Sequence, residues 1–133
     1  MNAGDCYLAE TGMNKDGEIL RHLFIVLLDP EANTRNTITV PCSTLRSRSH
    51  DTTCVLNVGE HEFITGPTYV KFGLAEIECL DDIGRRIKEG RAGPKPPVGP
   101  DVLARVRQGL LKSPHTRIAV KEWYFQRMAN GLT

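Results

Sequence analysis

The sequence predicts an α+β fold, in which a small, strongly curved antiparallel sheet or barrel is followed by helices. Segments of strand length occupy residues 5–79, and apolar residues recur with helical spacing from Leu80 onward. Strands that precede the helices, instead of alternating with them, are typical of this class. The 133 residues, 40% of them hydrophobic, are enough for one domain with a single core.

Each predicted strand ends at a turn signal. The most apolar segment, residues 22–29 (HLFIVLLD), has the composition of a buried central strand and is followed by Pro30. Residues 68–79 alternate in polarity around Gly73, which predicts a strand that is broken or bent there. The other predicted strands are residues 5–10, 37–41, 53–57 and 60–64, and residues 11–18 are a predicted turn-rich connector.

The helical part of the chain begins where the apolar spacing changes. Residues 80, 83 and 87 are apolar, which predicts a first helix that ends at Gly90. We expect Asp101 and Thr116 to cap two further helices. The predicted organisation is a sheet domain with the first helix (1–90), a Pro/Gly-rich connector (91–100), and a helical extension packed on the same domain (101–133).

The formal net charge of +1 conceals an asymmetry. Residues 1–80 contain 6 basic and 11 acidic residues, whereas residues 81–133 contain 11 basic and 5 acidic residues. A balance near zero excludes a globally basic nucleic-acid binder. We expect the basic C-terminal part to form a separate surface for RNA or an acidic partner.

The cysteines predict a reducing compartment. All four lie in or beside apolar stretches, and none is in a C-x-x-C pair; they are Cys6, Cys42, Cys54 and Cys79. The sequence begins without a basic and apolar leader, and no apolar run approaches the roughly 20 residues of a membrane span. We therefore predict free, mostly buried thiols in a cytoplasmic protein without a membrane segment.

A zinc site is the alternative interpretation of these cysteines. Its ligands would be Cys42, His50, Cys54 and His61. The spacing between His50 and Cys54 is compatible with zinc, but no second pair repeats it. Core cysteines are therefore favoured, and we predict neither a metal nor another cofactor.

Residues 40–50 (VPCSTLRSRSH) are the most informative segment for function. The strand ends at Pro41 and is followed by hydroxyl side chains, two arginines and a histidine. The arginine guanidinium suits bidentate contact with phosphate oxygens, and hydroxyl and backbone N–H groups add donors. The segment predicts a phosphodiester or anion site; the alternative is a solvated loop whose arginines contact nothing.

Two other histidines and an aspartate need separate interpretations. His22 begins the apolar strand after Arg21, where an imidazole can face a cleft and act as a general base or acid. A structural role is the alternative for His22. His61 lies between two glutamates and is expected to be a hydrogen-bonded surface residue, while Asp51 is expected to form an Asx-type turn.

Three segments together resemble the MazF/PemK family of toxins. They are residues 4–8 (GDCYL), 21–27 (RHLFIVL) and 38–44 (ITVPCST). The family has a Gly-Asp-led strand, an Arg-Pro-led apolar strand, and a strand ending in Val-Pro before small hydroxyl residues. The resemblance covers residues 4–80 and implies an SH3-like β-barrel with appended C-terminal helices, usually dimeric. It also implies a sequence-specific endoribonuclease that a cognate antitoxin neutralises.

The resemblance assigns roles and exposes a departure. The family's hydroxyl after Val-Pro falls on Ser43, with Thr44 next to it, and its catalytic arginine falls on His22. Either Arg21 supplies the cation from a shifted register, or His22 acts as a base, or the activity is altered or lost. The basic tail extends beyond what the family usually carries.

The resemblance implies metal-independent cleavage of single-stranded RNA, in which the ribose 2′-OH is the nucleophile. The predicted catalytic residues are His22, Ser43, Thr44 and Arg46, and the predicted RNA-binding residues are Arg21, Arg48 and His50. The substrate is single-stranded because unstacked bases are what such a surface can bind. A non-catalytic SH3-like module that binds a protein or nucleic acid is the alternative, and the histidine at the family's arginine position favours it.

Overall fold

The structure is a computed structural model that describes residues 1–131. Its elements are β1 (Cys6–Met13), β2 (Ile19–Val26), β3 (Asn36–Thr44), β4 (Val55–Leu56), β5 (Thr68–Val70), a 3₁₀ turn (Phe72–Leu74), β6 (Glu76–Cys79), α1 (Leu80–Lys88), β7 (Ala92–Lys95), α2 (Pro100–Lys112) and α3 (Ile118–Ala129). The predicted α+β class is confirmed. The break predicted near Gly73 is also confirmed, since the 3₁₀ turn separates β5 from β6.

All seven strands belong to one antiparallel sheet. Its hydrogen-bonded order is β4-β5-β3-β2-β1-β7, and β6 also pairs with β3. The C-terminal half of β3 pairs with β5 and its N-terminal half with β6, so two short strands share one edge of a long one. Within residues 1–131, β4 and β7 do not pair with each other, and the hydrogen-bonded path is not closed.

The alternation of β2 divides its side chains between two cores. Leu23 and Ile25 pack in a large core that includes residues of α2 and α3. Phe24 and Val26 point to the opposite face and pack in a smaller core that includes residues of α1. We call this second face of the sheet, opposite the large core, the outer face.

The two C-terminal helices pack on the large core. Val106 and Leu110 of α2 and Val120 of α3 are buried there. Gly109 permits the close approach of α2, since a Cβ at this position would lie 2.5 Å from Cζ of Phe72. The helical extension therefore shares its core with the sheet.

Arginines of the basic tail also hold the helices on the sheet. They donate hydrogen bonds to backbone carbonyls: Arg105 to Val55 (2.7 Å), Arg107 to Leu27 (2.8 Å), Arg117 to Ala75 (2.8 Å) and Arg127 to Asp29 (3.0 Å). Arg105 additionally pairs with Glu60. The expectation of a separate basic surface is therefore wrong for these four residues, whose donors bind the sheet domain.

Three segments predicted as loop contain strand. The strand predicted to end at Pro41 continues to Thr44, where its last residues pair with β5. β1 continues to Met13 because the connector closes in a tight turn, where Asn14 Oδ1 accepts the N–H groups of Asp16 and Glu18. The predicted connector at 91–100 contains β7, which pairs with residues Cys6–Ala9 of β1. The Pro/Gly-rich composition obscured this strand, which lies at the edge of the sheet, where proline is tolerated.

The short strand predicted at 60–64 is wrong, and so are the two predicted N-caps. Residues 60–64 form a turn in which Nδ1 of His61 accepts the N–H of Phe63. His61 is buried instead of exposed, and its Nε2 lies 2.6 Å from the carbonyl oxygen of Pro96. The N-cap residues of α2 and α3 are Gly99 and Arg117, one or two positions from those expected.

The cysteines are free thiols, as predicted, and three of the four are buried. Burial raises the pKa of Cys6 to about 12 and also raises the pKa values of Cys42 and Cys54. No group of three or more potential ligands within residues 1–131 is arranged to hold a metal, so the zinc alternative gains no support. No helix in this part of the chain is both long and apolar enough to cross a membrane.

Candidate functional site

A cleft of about 970 Å³ lies on the outer face of the sheet and includes no residue of α1. We call it the site cleft. It contains six of the seven predicted site residues, which are Arg21, His22, Ser43, Thr44, Arg46 and His50. Its volume is in the range of ligand-binding pockets, roughly 300–1,000 Å³. The structure therefore brings together residues that are up to 29 positions apart in the sequence.

The register of the strands explains why these residues meet. Leu23 pairs with Cys42, so His22 and Ser43 lie one residue beyond this pair, and both face outward. Ser43 pairs in turn with Tyr69 of β5. Three side chains therefore form a row across three neighbouring strands, which are spaced about 4.8 Å apart.

A β-bulge in β1 provides the hydrogen-bond partner of His22. Glu10 pairs with Arg21 and Gly12 with Leu20, so Thr11 is an extra residue without an opposite partner. The Thr11 Oγ1 lies 2.6 Å from Nδ1 of His22. The bulge thus holds the imidazole at the edge of the cleft.

His22 is suited to act as a base. Partial burial, and secondly the positive charge of Lys71, lower its pKa below the usual 6.5, so the imidazole is neutral at pH 7. In the tautomer whose Nδ1–H donates to Thr11, the lone pair of Nε2 remains available to accept a proton. Thr11 therefore acts as a positioning residue for the imidazole.

The cationic side chains of the cleft differ in how free they are to bind an anion. Nη2 of Arg21 is 3.4 Å from Oε1 of Glu10, but both side chains are exposed, and such pairs contribute little. Neither Arg46 nor Lys71 forms an ion pair with another residue of 1–131. Arg46 and Lys71 are therefore the cations most available to an anion in the cleft.

The loop after β3 is anchored at its C-terminal end. The rings of His50 and Tyr69 are stacked, with centroids 4.4 Å apart and planes 10° apart. Oδ1 of Asp51 accepts the N–H of Thr53, which confirms the predicted Asx-type turn, and its Oδ2 accepts the hydroxyl of Ser113. Burial alone would raise the pKa of Asp51, but these hydrogen bonds outweigh it and lower the pKa. The C-terminal end of the loop is therefore held in place, while residues 46–49 are exposed and neither of its arginines has a hydrogen-bond or ion-pair partner within residues 1–131, which agrees with the alternative interpretation for that part.

Arg48 is the one predicted site residue outside the cleft. It lies in the exposed turn where the N–H of His50 donates to the carbonyl oxygen of Ser47. Because the turn directs residues 47–49 toward solvent, Arg48 and Arg46 have different surroundings although they are two positions apart.

Three residues near the site were missed by sequence reasoning. Thr11 was assigned to a connector, since a bulge leaves no clear periodic signal. The alternation of residues 68–79 puts Tyr69 and Lys71 on one face of a strand, but nothing in the sequence indicates that this face borders the loop after β3. The alternation shows which residues share a face of the strand. It does not show which segment lies next to that strand, and this neighbour decides what the face borders.

Comparison of the chain with protein-family models, with curated proteins and with solved structures found no match. A fold alone does not define a function, which depends on the chemistry of a particular site. The geometry and electrostatics of the site cleft therefore carry the functional conclusion.

Proposed function

We propose that the protein is a MazF/PemK-like endoribonuclease that cleaves single-stranded RNA without a metal ion. The observation that carries this proposal is the composition of the site cleft. It combines a neutral imidazole (His22), two hydroxyls (Ser43 and Thr44) and two cations without ion-pair partners in residues 1–131 (Arg46 and Lys71). These are the groups that a reaction through the ribose 2′-OH requires.

The imidazole of His22 starts the reaction by accepting the 2′-OH proton on Nε2. The 2′ oxygen then forms a bond to the adjacent phosphorus, and the bond from phosphorus to the 5′ oxygen breaks. The 5′ oxygen takes a proton from water, and His50 lines the same cleft as a group that can bind the RNA. The products are a 2′,3′-cyclic phosphate and a 5′-hydroxyl.

The remaining groups hold and stabilise the phosphate. Arg46 and Lys71 balance the charge that builds on the phosphoryl oxygens, and preorganised contacts of this kind contribute about 3 kcal/mol each. Ser43 lies between His22 and Tyr69 in the row across the sheet, where its hydroxyl can donate to the scissile phosphate. Thr44 adds a second hydroxyl at the end of β3.

The proposal extends to the fold and the biology that the family resemblance implies. The sheet would be an SH3-like barrel, supported by the long β3 with three partner strands and by the 3₁₀ turn between β5 and β6. The protein would be a cytoplasmic toxin of a type II toxin-antitoxin system, with a cognate antitoxin and a homodimeric assembly. Its expression without the antitoxin should then arrest growth, and the variant His22→Ala should relieve the arrest.

Cleavage of single-stranded RNA by the purified protein in a chelator tests the activity. The chain offers a matched pair of variants, since Arg46 lines the cleft and Arg48 does not. We expect Arg46→Ala to lose about a hundredfold in rate and Arg48→Ala to stay within a fewfold of the wild type. Equal losses of cleavage rate in the two variants would contradict the site assignment. A wild type that does not cleave RNA would contradict the proposed activity.

The alternative is a non-catalytic SH3-like module, favoured by the histidine at the family's arginine position. His22 is held by Thr11 and partly buried, which is also compatible with a structural role. The same experiment separates the two functions. Salt-sensitive binding of single-stranded RNA with no cleavage at any pH would identify a binding module.

A further inference from the structure

A second, smaller cavity adjoins the site cleft. It has a volume of about 290 Å³, and we call it the side pocket. His50, Tyr69 and Lys71 line both cavities, so the stacked pair of rings forms the boundary between them. The far wall comes from Leu74 of the 3₁₀ turn and from His115, which lies between α2 and α3.

From this arrangement we propose that the side pocket binds the base of a nucleotide next to the scissile phosphate. The inference rests on the proposed function, because it places an RNA strand across both cavities. Lys71 borders both and would contact the phosphate that joins the two nucleotides. The C-terminal helical extension, through His115, would then take part in substrate binding.

The walls of the side pocket suit a base. His50 presents a flat ring that is already stacked on Tyr69, and imidazoles serve as stacking platforms for unpaired bases. Leu74 is 54% exposed and adds apolar surface. An aromatic ring that covers this side chain removes apolar surface from water, which favours binding.

The electrostatics of the pocket argue against a phosphate in the same place. Asp51 lies on its wall, and hydrogen bonds from Ser113 and Thr53 favour the ionised form of this carboxylate. A phosphate beside Asp51 would meet a like charge, whereas the amino group of a base can donate to it. The phosphate is therefore expected at Lys71 and the base in the pocket.

Small changes in the pocket wall leave the core intact. Leu74 and His115 are exposed, and a methyl group at Gly73 would lie 3.5 Å from Cβ of His115, an ordinary contact. Ile118 provides a matched control, because it is an exposed apolar residue three positions from His115 that lines neither cavity. Leu74→Ser and Ile118→Ser each replace an exposed apolar side chain, so we expect them to affect folding similarly. Only Leu74→Ser changes the wall of the side pocket.

The test is the affinity of the full chain for a randomised 2′-fluoro RNA octanucleotide, measured by fluorescence anisotropy at several salt concentrations. This probe has no 2′-OH and cannot be cleaved by the proposed reaction. We expect Leu74→Ser and His115→Ala to weaken binding about five- to tenfold, as loss of a stacked base does, and Ile118→Ser to bind within twofold of the wild type. Gly73→Ala, which narrows the pocket, should also weaken binding.

The salt dependence distinguishes a base from a phosphate. Lys71→Met should lower the slope of log affinity against log salt by about 0.7, the loss of one phosphate contact to a single strand. Leu74→Ser and His115→Ala should leave the slope unchanged, and an equal drop in slope for His115→Ala would overturn the assignment of a base. If both pocket variants bind with wild-type affinity, the side pocket does not bind a base, and the proposed function is unaffected. If the wild type does not bind the octanucleotide, both proposals are contradicted.

Discussion

The outer face of the sheet has two halves, and they differ in what covers them. Under α1, the polar side chains form a closed network: Oε2 of Glu78 accepts the hydroxyls of Tyr7 and Thr39, and Oε1 accepts Nη2 of Arg86. Burial and the charge of Glu78 raise the pKa of Tyr7, so its hydroxyl remains protonated and donates. These four side chains therefore have their partners within the network.

In the other half, the site cleft, the same strands carry polar side chains that have few partners. His22 lies on β2 two positions before Phe24, and Ser43 lies on β3 four positions after Thr39. Arg46 and Lys71, which line the cleft, pair with no carboxylate of residues 1–131. The same alternation along β2 and β3 thus places polar side chains in an internal network where a helix covers the face, and along an open cleft where no helix covers it.

The largest expected difference between the two halves concerns His22. The substitution His22→Ala should lower the single-turnover rate of RNA cleavage by about 10²–10⁴-fold, the usual contribution of a general base. The free energy of unfolding should change by less than about 1 kcal/mol, because the side chain is only partly buried. A variant that is destabilised but still cleaves RNA would show that His22 stabilises the fold and is not the general base.

Glu78 should show the opposite behaviour. Glu78→Ala leaves the buried hydroxyls of Tyr7 and Thr39 without an acceptor, which should cost about 2–3 kcal/mol of unfolding free energy in urea titrations. Glu76 is the matched control, since it is an exposed glutamate on the same strand. Equal stability of the Glu76→Ala and Glu78→Ala variants would contradict the network.

The contact between Asp51 and Ser113 joins the wall of the side pocket to the C-terminal end of α2. Because the pKa of Asp51 is lowered in the folded state, its contribution to stability is present above the unfolded value, near 3.8, and is lost as the pH falls below it. Asp51→Ala should cost about 1–2 kcal/mol at pH 7, since the Ser113 side chain is buried. Urea titrations at pH 7 and pH 3 should show this difference shrinking at pH 3, and a constant difference would contradict the assignment.

The smallest expected effect is a shift in the pH dependence of cleavage. Only neutral His22 accepts a proton, so kcat/KM should fall on the acid side with a midpoint below 6.5. Lys71→Met removes the smaller of the two causes of the lowered pKa and should move this midpoint upward. A midpoint that stays in place would mean that burial alone lowers the pKa of His22.

Local patterns in the sequence predicted most of the fold. Helical spacing located α1, the break at Gly73 was visible in the alternation, and the free cysteines followed from their apolar surroundings. β7 was hidden because prolines and glycines at a sheet edge resemble a linker. The roles of the tail arginines were also hidden, since a charge that binds a distant carbonyl looks the same in sequence as a charge in water.

The candidate site was predictable in its types of residue but not in its geometry. A histidine, hydroxyls and arginines near strand ends indicated phosphodiester chemistry, and the register of β2 and β3 then brought His22 beside Ser43. Thr11 and Lys71 required the bulge and the path of β5, which depend on contacts between distant segments. Pairing between strands, more than composition, therefore determines which polar residues become a site.

The chemical ends of the RNA products test most directly whether the uncovered half of the face is a ribonuclease centre. The purified protein would be incubated with single-stranded RNA in a chelator, and the product ends would be identified by mass spectrometry. If His22 activates the 2′-OH, every cut leaves a 2′,3′-cyclic phosphate (or the phosphate formed by its hydrolysis) and a 5′-hydroxyl. Products with a 5′-phosphate, or no cleavage at all, would contradict this account.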